Sequence, residues 1–313
     1  MSSTALAAPL RRTRVAAGVL WRFSRPHTAI GTALSVLGIF AIAAHDLGPL
    51  PAGRAAFHLF WTLVAALAVN VFIVGINQLS DVEIDRINKP RLPLAAGELS
   101  MRSGRAVVAA AAILPVVLAI SQGWIELAAV LAALAIGWAY SCEPLRLKRY
   151  PAAAAASISL VRSLVVNLGV YLHFAGAFGG GTSVTGAVWA LTLFVLPFSL
   201  AIAVLKDVPD AEGDSAFDVR TFTVRLGQRT ALLLGMAALT VAYAGMAVLG
   251  PLLLDGVQPA VLIGAHAAAL ALVWWWALRV DPGDRDDFTA FYMRVWGLFF
   301  CEYLVVPAAV LLG

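Results

Sequence analysis

Residues 57–79 read FHLFWTLVAALAVNVFIVGINQL, and the polar stretch SDVEIDRINK follows directly at 80–89. A helix needs about 20 apolar residues to cross a bilayer, so this run is long enough to span one. The polar stretch places two carboxylates, Asp81 and Asp85, just beyond the end of the span. Together the two features predict a membrane helix with polar chemistry at one end.

Nine apolar runs of this kind divide the chain. Apolar residues make up 61% of its 313 residues and charged residues 13%, whereas soluble domains carry about 25% charged residues. We therefore expect an all-α, polytopic membrane protein with nine transmembrane helices. The runs lie at about 28–44, 57–79, 106–121, 124–140, 152–178, 184–205, 230–249, 258–277 and 291–311.

The basic residues are segregated among the polar segments. Of 22 Lys and Arg residues, 20 lie before the first span or after spans two, four, six and eight; the other two are Arg54 and Arg162. Because basic residues concentrate in cytoplasmic loops, the N-terminus and these even-numbered loops are expected in the cytoplasm and the C-terminus outside. This topology explains the net charge of +4 without nucleic-acid binding. The lipid bilayer is an expected partner, and no obligate protein partner is indicated.

Two acidic motifs occupy equivalent places in the chain. Asp81 and Asp85 follow span two, and Asp210 and Asp214 follow span six within KDVPDAEGD at 206–214. On a continuing helix, residues four apart share one face, so each pair would present two carboxylates to one point. Asn77 would extend the first face by one turn. A single such pair is compatible with an ordinary solvated loop, but two matching pairs on the same side indicate one shared site.

Like charges four residues apart repel, so such a site needs cations. Mg²⁺ takes oxygen ligands and is commonly held by one or two carboxylates plus substrate phosphates. If magnesium binds a diphosphate at the mouth of an apolar bundle, the expected reaction is departure of the diphosphate from an allylic carbon of the substrate. A transporter or a structural bundle would explain the spans but not the paired motifs.

Several stretches resemble one known family. They are FSRPHT at 23–28, INQLSDVEIDRINKPRLPLAAGE at 76–98, Tyr140-Ser141 with PLRLK at 144–148, KDVPDAEGD at 206–214 and FTVRLG at 222–227. The chain resembles the UbiA-type intramembrane prenyltransferases, and within them the branch of homogentisate phytyl, geranylgeranyl and solanesyl transferases. The resemblance implies nine helices around a central cavity open to the cytoplasmic side. It also implies a transmembrane domain at 26–313 after a cytoplasmic segment at 1–25.

The resemblance also implies a role for each matching residue. Asp81, Asp85, Asp210 and Asp214 would be the catalytic carboxylates. The magnesium ligands would be these four together with Asn77 and Asp207. The diphosphate would be bound by Arg25, Tyr140, Arg146, Lys148 and Lys206.

Arg162 is unusual because it lies inside span five. An ionisable side chain at membrane depth is costly and by default indicates a functional site. We expect Arg162, with Asn167 five residues on, to line a site for an acidic aromatic acceptor. The alternative is a structural ion pair, for which Glu302 of span nine is available. His173, near the far end of the same span, is expected at the membrane interface.

The predicted function is Mg²⁺-dependent transfer of a phytyl, geranylgeranyl or longer prenyl group from its diphosphate to an aromatic acceptor, with homogentisate favoured. Another aromatic acid, such as 4-hydroxybenzoate, would use the same site. An intramembrane terpene cyclase would need the diphosphate motifs but no acceptor site. Because no transit peptide is evident, a bacterial inner membrane is the expected location.

Overall fold

The computed structural model describes residues 16–48, 50–217 and 219–313. Within those residues it contains nine helices long and apolar enough to cross a membrane, which confirms the all-α fold with nine spans. The first fifteen residues of the predicted N-terminal segment, including Arg11, Arg12 and Arg14, lie outside the described residues. The spans are α1 Pro26–Leu47, α2 Ala52–Ser80, α3 Met101–Gln122, α4 Trp124–Ser141, α5 Pro151–Phe178, α6 Gly186–Leu205, α7 Gln228–Leu253, α8 Pro259–Ala277 and α9 Arg285–Leu311.

Local sequence explains where several spans begin. Helices α1, α5 and α8 each begin with proline, whose fixed φ suits the first helical turn. Asp284 caps α9 by accepting hydrogen bonds from the backbone amides of Asp286 at 2.9 Å and Asp287 at 3.0 Å. Gly123 alone separates α3 from α4 with φ 125°, a conformation that glycine adopts without strain.

Helix α6 is the most buried of the nine spans. Its Phe194 and Phe198 lie 5.2 Å and 5.8 Å from the ring of Tyr243 in α7, and Phe198 also packs on Phe299 of α9. On the outside of the bundle, large apolar side chains such as Ile120 and Leu252 are exposed. An apolar exterior around a packed core is the pattern of a helix bundle surrounded by lipid.

The bundle has two distinct ends. At what we call the motif end, the segments after α2, α4, α6 and α8 contact one another, as in the hydrogen bond between Asn88 and Asp214. At what we call the far end, the other links meet, and Arg54 donates a hydrogen bond to the carbonyl of Ala177. The predicted aspartate motifs and most of the charged loops therefore share one end.

Helix α5 changes its winding in the middle of the span. Residues Val161–Leu168 form a π-helix between two α-helical halves, Pro151–Leu160 and Gly169–Phe178. Segments of π-helix are rare and are frequently found at functional sites. Arg162 and Asn167, the two residues predicted to receive the acceptor, both lie in this segment.

Candidate active site

The two acidic motifs are built in the same way. Helix α2 ends at Ser80, and Asp81, with φ −118° and ψ 17°, precedes a short helix at Val82–Asn88. Helix α6 ends at Leu205, and Asp210 precedes the short helix Ala211–Ala216. The expectation of a continuing helix is therefore wrong at both motifs, because the helix is interrupted at Asp81 in the first motif and over residues 206–210 in the second.

The turn nevertheless keeps each pair of aspartates together. The amide of Asp85 donates to the carbonyl of Asp81 at 2.7 Å, and the amide of Asp214 donates to the carbonyl of Asp210 at 3.0 Å. Each pair thus spans the first turn of its short helix, which preserves the spacing that the sequence pattern predicted. In addition, Asn77 donates from Nδ2 to Asp81 Oδ2 at 2.9 Å.

Asn88 joins the two motifs. Its Nδ2 donates to Asp214 Oδ1 at 3.2 Å, and its Oδ1 accepts from the amide of Gly213 at 3.0 Å. A β-carbon at position 213 would overlap the Asn88 carboxamide, so the close approach requires glycine there. Asn88 was not assigned a role from the sequence, although it lies inside the matched stretch 76–98.

The motifs open on a cavity of about 520 Å³ that extends into the bundle, a volume in the usual range for small-molecule sites. All six predicted magnesium ligands line it, as do four of the five predicted diphosphate ligands. Arg146 is the exception: it stands behind Asp81, with Nη2 3.4 Å from Oδ1. The lining residues among the predicted set are Arg25, Asn77, Asp81, Asp85, Tyr140, Lys148, Lys206, Asp207, Asp210 and Asp214.

Lysines neutralise three of the aspartates. Lys148 Nζ lies 2.6 Å from Asp81 Oδ1. Lys206 pairs with Asp207 and Lys89 with Asp210. Lys89 was not assigned a role from the sequence, but its position directly after Asn88 gives it the reach to bridge the motifs. The lysines supply positive charge that an incoming diphosphate can share.

The other carboxyls lack a lysine within ion-pair distance and are buried. Burial raises the pKa of Asp85 to about 6 and the pKa of Asp214 to about 7, since the charged form loses its hydration. Burial also raises the pKa of Asp207, against the effect of Lys206. A bound cation would stabilise the ionised form of these carboxyls most, because burial disfavours that form in its absence.

Two arginines have unusual backbone conformations. Arg25 has φ 52° and Arg146 has φ 34°, and they are the only positive-φ residues other than glycine in the described part of the chain. Such conformations are costly for residues with a β-carbon and cluster at functional sites. Both arginines belong to the set predicted to bind diphosphate.

Arg162 lines the cavity below the motifs. Its guanidinium carbon lies 4.6 Å from the ring centre of Trp296 and 5.9 Å from that of Phe299. The alternative pair with Glu302 is wrong, because Glu302 Oε1 lies 3.1 Å from His266 Nε2. Arg162 Nη1 is buried and has no hydrogen-bond partner among the described residues.

Asn167 is fully buried and is not among the residues that line the cavity. Its Oδ1 accepts a hydrogen bond from the Tyr303 hydroxyl at 2.8 Å. The structure therefore corrects its predicted contact with an acceptor: the amide is held by α9 behind the cavity wall. His173 also differs from expectation, because it is buried and lines the cavity instead of lying at an interface.

Six oxygen-bearing side chains suit a hard divalent cation, which prefers oxygen ligands. Within the described residues, no three Asp, Glu, His or Cys side chains are gathered closely enough to hold one ion. The donor chemistry fits magnesium, and three of the carboxylates, Asp81, Asp207 and Asp210, pair with lysines.

Comparison with known proteins gives a consistent result. The profile of the UbiA prenyltransferase family matches residues 31–298. The chain is 42% identical to a homogentisate phytyltransferase of Synechocystis sp. over 92% of this chain and 94% of that protein. It is 35% identical to a chloroplastic homogentisate solanesyltransferase of Arabidopsis thaliana, over 92% and 75%.

A solved structure has the same fold. The UbiA homolog from Archaeoglobus fulgidus bound to GPP and Mg²⁺ superposes with a TM-score of 0.63 at 19% identity, covering 93% of this chain and 99% of that chain. At this identity the likeness concerns the fold alone. With the family profile covering most of the chain and relatives well above 30% identity, the chain belongs to the UbiA prenyltransferase family.

Proposed function

We propose that this protein transfers a prenyl group from an allylic diphosphate to homogentisate in a Mg²⁺-dependent reaction. The observation that carries the proposal is the cavity whose mouth holds both aspartate motifs and whose interior holds Arg162. The names of the similar proteins support it, since they are homogentisate phytyl and solanesyl transferases. We also propose the domain division at 1–25 and 26–313, which agrees with the start of α1.

Asn77, Asp81 and Asp85 of the first motif and Asp207, Asp210 and Asp214 of the second would hold magnesium. The assignment is supported by the position of all six side chains in one cavity, and magnesium as the metal agrees with a UbiA homolog of similar fold that is bound to GPP and Mg²⁺. Magnesium would stabilise the negative charge that develops on the departing diphosphate. Arg25, Tyr140, Lys148 and Lys206 line the same mouth and would bind the diphosphate directly, with Arg146 behind Asp81.

The reaction proposed for this site exchanges the allylic C–O bond for a C–C bond to the acceptor ring, and the ring then loses a proton. The allylic C–O bond breaks and the diphosphate leaves with the electron pair. The electron-rich ring of the acceptor then attacks the allylic carbon, and a new C–C bond forms. The ring regains its aromatic character by losing the proton of the attacked carbon to solvent, and any carbon dioxide leaves from the acceptor's carboxyl group in a separate cleavage. Buried apolar walls exclude water, which would otherwise capture the allylic cation.

Arg162 would bind the carboxylate of the acceptor. A guanidinium whose Nη1 has no partner among the described residues, in a cavity, is suited to a charge-assisted hydrogen bond. Beside it, Tyr292 and Trp296 line the cavity and offer ring faces for an aromatic acceptor. A neutral acceptor would leave this cation unmatched, which favours an aromatic acid.

We further propose that the motif end faces the cytoplasm and the C-terminus faces the opposite side. The segregation of 20 of the 22 Lys and Arg residues supports this orientation. A bacterial inner membrane is the proposed location. Cysteine labelling from the outside tests the orientation: residues introduced at the link after α5 should react, and residues introduced after α8 should not.

The deciding experiment supplies membranes containing the protein with MgCl₂, homogentisate or 4-hydroxybenzoate, and allylic diphosphates of several lengths. Mass spectrometry should find a prenylated product from homogentisate that disappears when EDTA replaces magnesium. If a product forms from 4-hydroxybenzoate and none forms from homogentisate, the acceptor is 4-hydroxybenzoate and not homogentisate. A cyclised hydrocarbon formed without any acceptor would overturn the proposal in favour of a terpene cyclase.

A further inference from the structure

The cavity does not end at Arg162. Below it, the walls are formed by small apolar residues of α2, α4 and α5, which we call the tail shaft. This shaft is lined by Ala65, Ala66, Val69, Ala129, Val130, Ala133, Val165, Val166, Gly169 and Val170. Helices α4 and α5 approach closely beside it, since a β-carbon on Gly169 would stand 2.8 Å from that of Ala129.

Three polar residues close the far end of the tail shaft, and we call them the polar floor: Thr62, Glu126 and His173. All three are buried and all line the cavity. Thr62 Oγ1 donates to Glu126 Oε2 at 3.0 Å, and His173 Nε2 lies 3.1 Å from the same oxygen. Glu126 stands in the first turn of α4, where the helix dipole favours a negative charge.

The polar floor is not fully satisfied by the protein. Glu126 Oε1 and His173 Nε2 are both buried, and neither has a hydrogen-bond partner among the residues that the structure describes, because the 3.1 Å contact of Nε2 with Glu126 Oε2 lacks hydrogen-bond geometry. A buried carboxylate oxygen in this state retains water if a neighbouring cavity can hold it. An apolar group pressed against it would displace that water and leave the oxygen unpaired, which is unfavourable.

The distance from mouth to floor can be measured along two helices. From Tyr140 to Glu126 there are 14 residues of α4, and from Asn77 to Thr62 there are 15 residues of α2. At a rise of 1.5 Å per residue, the α4 path gives a depth of about 21 Å and the α2 path a depth of about 22 Å. One extended isoprene unit adds four bonds of about 1.5 Å in a zigzag, or about 5 Å, so four units reach the floor.

We propose that the polar floor limits the prenyl substrate to about four isoprene units, a C20 diphosphate, by ending the tail shaft with groups that an apolar chain cannot cover. This inference rests on the proposed function and narrows its substrate. Discrimination arises from the unfavourable contact made by a longer chain, as well as from the fit of the shorter one. The similar proteins do not settle the length, since a solanesyltransferase is among them.

The test measures kcat/KM for C10, C20 and C45 prenyl diphosphates with the same acceptor. The double variant Glu126→Ala/His173→Ala removes two of the three polar side chains of the floor and leaves space where they stood. It should raise the C45-to-C20 ratio at least about tenfold, equivalent to about 1.4 kcal/mol. The matched control is Glu302→Ala/His266→Ala, which removes another buried Glu–His pair at 3.1 Å that does not line the cavity. Its ratio should equal that of the unaltered protein.

A second variant tests the path of the tail even if the double variant fails to fold. Val69 lines the shaft eight residues below Asn77, about 12 Å at the helical rise. Val69→Phe should lower the C20-to-C10 ratio at least about tenfold, because only the shorter tail ends above the obstruction.

The proposal is overturned if the unaltered protein uses C45 as well as C20, because the tail then leaves the bundle sideways. It is also overturned if Val69→Phe leaves the C20-to-C10 ratio intact, or if both double variants change the C45-to-C20 ratio equally. The absence of product with every diphosphate and acceptor would instead refute the proposed function, so the two failures are distinguishable.

Discussion

Asn88 and Asp214, 126 residues apart in the chain, are joined by a hydrogen bond of 3.2 Å at the centre of the motif end. Asn88 follows the first aspartate motif, and Asp214 ends the second. The same asparagine accepts a hydrogen bond from the amide of Gly213. The two short helices that carry the aspartates are therefore held in register by one side chain, which sets the geometry available to a bound cation.

Replacing Asn88 with alanine should separate the two motifs. We expect the apparent affinity for Mg²⁺, measured from activity against magnesium concentration, to fall about 10–100-fold, as is usual when a residue supporting metal ligands is removed. Gln228→Ala is the control, because Gln228 donates one long hydrogen bond to the second loop, to the carbonyl of Val208 at 3.4 Å, and does not contact either aspartate pair through a hydrogen bond among the described residues. Equal magnesium dependence in the two variants would show that Asn88 does not position the motifs.

Gly213→Ala should have a similar effect by a different route. The added β-carbon would overlap the carboxamide of Asn88 and force the short helices apart. We expect kcat/KM for the prenyl diphosphate to fall at least about tenfold, the lower end of the effect of disturbing metal-supporting contacts. Gly245→Ala has open space around the new methyl group and should retain activity. Full activity in Gly213→Ala would contradict the close packing described for this contact.

The pH dependence of the metal-free protein follows from Asp214. Its pKa, raised by burial from 3.8 to about 7, means that the folded state holds a proton that the unfolded state has released between these values. The free energy of unfolding contributed by this group therefore decreases as pH rises from about 4 to 7 and is constant above that range. In EDTA, Asp214→Asn should flatten this part of the stability profile.

Added magnesium should stabilise the folded protein more at high pH than at low pH, opposite to the pH dependence of the metal-free protein, because carboxylates must lose their protons to bind a metal. Thermal unfolding in detergent, with and without MgCl₂, should show a larger magnesium-induced rise in Tm at pH 8 than at pH 5. A larger rise at pH 5 would be incompatible with carboxylate ligands at this site.

Arg162 offers a test that separates acceptor binding from diphosphate chemistry. Arg162→Gln should raise KM for an aromatic acid about 10–100-fold, the loss expected for a hydrogen bond to a charged group. KM for the diphosphate should change much less. Arg279→Gln is the matched control, since Arg279 also stacks on a tryptophan, at 4.5 Å from Trp275, but lies outside the cavity. An unchanged acceptor KM in Arg162→Gln would remove Arg162 from the acceptor site.

The sequence predicted the spans well because membrane helices depend on long apolar runs and on charge segregation, both of which are local properties. The spacing of four aspartates after equivalent spans, together with the family resemblance, also predicted that six oxygen-bearing side chains would meet at one site. All six line one cavity. What the pattern could not reveal is the turn at Asp81 and Asp210, because an i, i+4 spacing is equally compatible with a continuous helix and with the start of a new one.

Long-range partners were the other missing part. The role of Asn88 depends on Gly213, and that of Lys89 on Asp210, more than 120 residues away. Glu126, His173 and Thr62 come from three different spans, and only packing brings them to one point. Arg162 could be identified from the sequence because a charge inside a span is conspicuous. That it packs on Trp296 and does not pair with Glu302 could be seen only in the folded structure.

The central claim is that the two motifs together bind the diphosphate whose prenyl group passes to an aromatic acid. The most direct measurement is mass-spectrometric product formation from geranylgeranyl diphosphate and homogentisate with MgCl₂. It should be made for the unaltered protein, Asp81→Asn and Asp210→Asn, all in membranes at matched expression. We expect a prenylated product from the unaltered protein and a loss of at least about 10²-fold in each variant, as for removal of a group stabilising transition-state charge. Undiminished product from either variant, or none from the unaltered protein with any prenyl diphosphate and aromatic acid, would contradict the central claim.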